Sequence, residues 1–127
     1  MTKKVYIRTL GCPKNEADSE HLRGTLERAG YEHALDADDA DVVIVNTCSF
    51  IEAARRESVD AVLDELAARK NGQKVLVAGC LVERYGKELA AELPEADGFM
   101  SLGSYGRATD VVDGAVAGVR QLCFDAG

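Results

Sequence analysis

Val42-Val43-Ile44-Val45 is an unbroken run of β-branched residues that leads into Asn46 and Thr47. Such a run lacks the apolar/polar alternation of a strand with one wet face, so it reads as a strand covered on both faces. Few folds bury a strand that way. The usual solution is a parallel sheet between two layers of helix.

The flanking sequence repeats the theme. Val5 to Leu10, Val75 to Ala78 and Phe99 to Leu102 read as further strands, with a short edge strand near Tyr31 to Ala34. Helical spacing fills the gaps over Asp18–Ala29, Glu52–Lys70, Val82–Leu93 and Tyr105–Val119. Gly30 and Asn71-Gly72 stand where helices end, and Pro94 stops the third helix. Gly86 weakens that helix from within. Glu52/Arg56 and Glu65/Arg69 are spaced to pair along the second helix. The pattern predicts an α/β, flavodoxin-like or Rossmann-like three-layer domain with a mostly parallel sheet and strand order 2-1-3-4-5. Residues 1–119 form that domain, and 120–127 read as a tail or the start of a linker.

Cysteines stand at 12, 48, 80 and 123. Cys12 follows the first strand, Cys48 the third and Cys80 the fourth. In the expected order these strands are neighbours, and their carboxyl ends share the edge where open α/β sheets place ligands. Gly11 and Gly79 precede two of these cysteines and permit close backbone approach. Asn46 and Thr47 are placed to orient loops at that edge, or to serve as ordinary turn-stabilising residues. Position alone supports a shared metal or redox site on Cys12, Cys48 and Cys80, with zinc and a thiol switch both open.

Other polar residues read more plainly. Cys123 is expected as a buried hydrophobe or a tail thiol. His21 and His33 have no evident partner and take local structural roles. Asp36, Asp38, Asp39 and Asp41 form a solvated loop without the central Gly of a calcium site. The net charge of -7 supplies no basic surface for nucleic acid. No apolar run is long enough to span a bilayer, and the first residues lack the pattern of a secretory signal, which predicts a cytoplasmic protein.

At these same residues the sequence resembles the amino-terminal domain of the methylthiotransferase family. Gly11-Cys12-Pro13-Lys14-Asn15 with Asp18-Ser19-Glu20 is similar to the first cysteine motif. Asn46-Thr47-Cys48-Ser49-Phe50-Ile51 with Glu57-Ser58 is similar to the second. Gly79-Cys80-Leu81 with Glu83-Arg84-Tyr85 is similar to the third. Pro13 and Lys14 resemble the branch that modifies an aspartate of a small-subunit ribosomal protein. The branch that modifies an isopentenylated adenosine in tRNA usually has Gln and Met there.

The resemblance implies a 4Fe-4S cluster held by Cys12, Cys48 and Cys80, with one open iron carrying the sulfur species. It implies partners in the same enzyme: a radical S-adenosylmethionine barrel and a small carboxyl-terminal β-domain. A second 4Fe-4S cluster and S-adenosylmethionine would belong to that barrel. This chain holds no CxxxCxxC, so it is expected not to complete the reaction alone, and no catalytic acid or base is expected in it.

Overall fold

β3 (Val42–Thr47) is buried along its whole length, as its composition requires. The computed structural model describes residues 3–10, 13–47, 52–70, 72–101 and 107–123. On one side β3 pairs with β1 (Lys4–Thr9), from Val5 opposite Val42 to Thr9 opposite Asn46. On the other it pairs with β4 (Lys74–Gly79), from Val42 opposite Lys74 to Thr47 opposite Gly79. β2 (Glu32–His33), β5 (Gly98–Met100) and β6 (Gln121–Cys123) complete a sheet of order β2-β1-β3-β4-β5-β6. Every pairing is parallel. The three-layer architecture and the order of the first five strands agree with the expectation.

Side-chain alternation divides the core by sheet face. Val42, Ile44, Leu76 and Met100 pack with α1 (Pro13–Arg28) and α4 (Ala108–Val116). Val45, Val77 and Phe99 pack with α2 (Glu52–Ala68) and α3 (Cys80–Glu92). Leu22, Ile44, Leu76 and Phe99 are fully buried, each contributing about 1.5–3 kcal/mol by leaving water.

Local sequence shapes the helix ends. α1 closes through Tyr31 N–H to Leu26 C=O at 3.0 Å, with Gly30 at φ 103° in the turn. α3 starts two residues earlier than its apolar spacing suggests and is kinked at Tyr85 (φ -129°, ψ 22°), just before Gly86. Long-range partners replace one expected helical ion pair. Glu65 bonds Arg8 at 3.0 Å, and Arg69 bonds Asp97 at 3.1 Å. Asp97 also accepts the Val75 N–H at 2.8 Å, which pins the amino-terminal edge of the sheet.

Gln121–Cys123, which the sequence reading places in a tail, forms the sixth strand against β5. Arg120 explains why the chain is held there. Its guanidinium donates to the carbonyls of Ala90, Leu93 and Ala96 at 2.8–3.1 Å, closing the end of α3. The same group lies 5.4 Å from the centre of the Phe99 ring. Arg120→Ala should lower stability in urea unfolding by about 1–3 kcal/mol, because several carbonyls lose a charged donor. Arg120→Lys should recover only part, since an ammonium lacks the planar fork. Leu122→Ser, at a side chain 51% exposed, should stay within about 0.5 kcal/mol of the parent.

Candidate functional site at the carboxyl edge of the sheet

β1, β3 and β4 end side by side. Thr9 lies opposite Asn46, and Thr47 lies opposite Gly79. Leu10 N–H donates to Asn46 C=O at 3.1 Å, carrying the pairing one residue past β1. Cys80 opens α3 directly after β4 and is half-buried. Cys12 and Cys48 lie outside the described residues. In sequence they follow Thr9 by three positions and Thr47 by one.

A chain of polar side chains ties these strand ends together. Thr9 Oγ1 and Ser19 Oγ are 2.7 Å apart, linking β1 to α1. Asn46 Nδ2 donates to Ser19 Oγ at 2.8 Å, linking β3 to the same point. Thr47 Oγ1 donates to Ala78 C=O at 2.5 Å and accepts from Leu81 N–H at 3.3 Å, linking β3 to both sides of the β4–α3 turn. Asn46 and Thr47 are fully buried, and Ser19 nearly so. Such groups are costly to bury unless bonded, and each of these is bonded.

Gly79 completes it. Its φ of 100° and ψ of -160° fall in a region open essentially to glycine. A Cβ there would stand 2.6 Å from both Asn46 Oδ1 and Thr47 C=O. The sequence reading weighed Asn46 and Thr47 as loop-orienting or turn-stabilising residues; in the structure Asn46 bonds Ser19 on α1 and Thr47 bonds both sides of the β4–α3 turn. It attached no role to Ser19, whose only signal was its place in the first cysteine motif.

The expected 4Fe-4S cluster is corrected. Among the described residues, no group of three or more His, Cys, Asp or Glu side chains is placed to hold a metal ion. Of the three expected ligands Cys12, Cys48 and Cys80, only Cys80 is among those residues. Cys123, the other described cysteine, is buried on β6 in the α1/α4 core, two strands from β4. Its Sγ lies 2.7 Å from Arg107 Nη2. His21 is exposed on α1. His33 is on β2, where burial foremost and the Arg23 charge next hold its pKa below the ordinary histidine value. The iron–sulfur and metal-binding reading of this domain is therefore withdrawn, and no chemical step is derived through a cluster.

A cavity of about 460 Å³ opens between α2 and α3. Val59, Leu81 and Leu89 supply its apolar lining, and Arg56, Tyr85, Glu88 and Glu92 its polar lining. No described helix is long and apolar enough to cross a membrane.

Gly79→Ala should lower stability in urea unfolding by about 3 kcal/mol or more, because strain in the backbone adds to overlap with Thr47. Gly30→Ala serves as its control. It also has a positive φ (103°), but nothing lies within 4 Å of the added Cβ, and its cost should stay near the 1–2 kcal/mol of backbone strain alone.

Comparison with known proteins agrees with the resemblance seen in the cysteine motifs. The chain is 50% identical over 118 residues to the ribosomal protein uS12 methylthiotransferase RimO of Anaeromyxobacter sp. (strain Fw109-5), covering 91% of this chain and 25% of that protein. It is 50% identical over 125 residues to the protein of the same name from Trichlorobacter lovleyi, covering 96% and 28%. With that of Streptomyces avermitilis it shares 50% identity over 110 residues, covering 85% and 22%. The chain thus spans about a quarter of the length of these relatives. Residues 4–101 match the model of one family over most of the chain, and the chain belongs to that family, the uncharacterized protein family UPF0004.

Proposed function

We propose that this chain is the amino-terminal part of a methylthiotransferase acting on ribosomal protein uS12, and that Cys12, Cys48 and Cys80 are its functional thiols. The observation that carries this reading is the 50% identity to uS12 methylthiotransferases over nearly the whole chain. Pro13 and Lys14 after the first cysteine favour the protein-modifying branch over the tRNA branch. The partners are a radical S-adenosylmethionine barrel and a carboxyl-terminal β-domain of the same polypeptide, with the ribosomal protein as substrate. The setting is the cytoplasm, where ribosomes are.

The fold suits that part. Parallel strands deliver residues distant in sequence to one edge, where a neighbouring domain can cover them. Cys80 begins α3 directly after β4, which puts it at that edge. The residues of this edge supply thiols and their positions, while substrate activation falls to the rest of the polypeptide.

The test is to produce the full-length polypeptide containing this chain and offer it ribosomes and bulk tRNA, with mass spectrometry of both. The expected product is a methylthio group on an aspartate of uS12, lost with Cys12→Ala, Cys48→Ala or Cys80→Ala and retained with Cys123→Ala. Methylthio groups on tRNA adenosines alone would move the substrate to the other branch. Transfer undiminished by all three alanine variants would remove the thiols from the function.

A further inference from the structure

We infer that Ser19, Asn46 and Thr47 are positioning residues that hold the cysteine-bearing strand-to-helix junctions in one register, with Thr47 serving as the cap of α3 from a neighbouring strand. The inference rests on the reading that this edge is the working edge of the domain.

The first N–H groups of a helix need acceptors, and a side chain at the capping position commonly supplies one. α3 has Gly79 at that position and no cap bond from its side chain. Glycine is imposed there by the backbone angles and by the approach of Asn46 and Thr47. The acceptor therefore comes from β3. The Thr47 hydroxyl has one hydrogen, directed to Ala78 C=O at 2.5 Å, which leaves a lone pair for Leu81 N–H at 3.3 Å. Cys80 sits between those two contacts, so its backbone is held from both sides by a side chain of another strand.

Asn46 extends the same device to the first junction. Its amide reaches Ser19 on α1, and Ser19 in turn reaches Thr9 at the end of β1. Bonds thus run from β1 and α1, the elements on either side of Cys12, to the residue pair preceding Cys48 and on to the residues flanking Cys80. A network that only satisfied buried polar groups could stand anywhere in the core. This one joins the carboxyl ends of β1, β3 and β4 to α1 and to the start of α3.

The experiment alkylates the reduced 127-residue chain with iodoacetamide under native conditions and follows each cysteine by mass spectrometry, with the thermal midpoint measured in parallel. Thr47→Val keeps the shape and removes the hydroxyl. It should raise the rate at Cys80 about fivefold, the factor equivalent to about 1 kcal/mol for a lost cap, and leave Cys123 unchanged. Thr47→Ser should restore the parent rate. Parallel rises at Cys80 and Cys123, no change at Cys80, or failure of Ser to rescue would each overturn the inference. Should Thr47→Val not fold, Ser19→Ala replaces it, with a selective rise at Cys12 expected and an equal rise at Cys123 overturning the inference. Alkylation needs no substrate. Loss of methylthio transfer with selective alkylation intact would therefore count against the function alone.

Discussion

Thr47 and Asn46 end a strand in which every residue is out of water. That constraint governs the carboxyl edge. A polar side chain in that position has no solvent to fall back on and must be bonded by the protein itself. The partners it finds lie on α1, β4 and α3, so burial of β3 ties the ends of neighbouring strands to two helices. Gly79 follows from the same constraint, because a side chain there would occupy the space that Asn46 and Thr47 fill.

The strands were legible in the sequence wherever burial alone determines them. β3 spans its β-branched run and the Asn46-Thr47 pair that follows, and β4 extends one residue beyond its apolar core at each end. The short β6 was not legible. Gln121-Leu122-Cys123 carries no strand pattern by itself and pairs because Arg120 anchors the chain on the end of α3 and beside Phe99. Tertiary partners likewise took Glu65 and Arg69 away from each other. The kink at Tyr85 had a signal in Gly86, but its geometry did not.

For the site, the alternation of strands and helices was enough to place Cys80 at the carboxyl edge, because topology alone fixes where a strand-to-helix turn falls. The polar lock was only half visible. Asn46 and Thr47 stood out as polar residues ending an apolar run, whereas a serine on a helix looks ordinary until its neighbour across the sheet is known. The cluster came from family resemblance, and the described residues do not gather the side chains for one. Family membership and a particular inorganic centre are separate claims, and only the first is carried by the match over residues 4–101.

The central physical claim is that parallel register brings the junctions after β1, β3 and β4 to a single edge. Adjacent strands lie about 4.8 Å apart, so β1 and β4, with β3 between them, are separated by about 10 Å. The most direct measurement treats the reduced chain with a bis-maleimide of that span and maps the joined cysteines by mass spectrometry. Links within one chain that join Cys80 to Cys48 and to Cys12, with Cys123 left out, are the predicted result. Links from Cys80 to Cys123, or no link among Cys12, Cys48 and Cys80, would contradict the account.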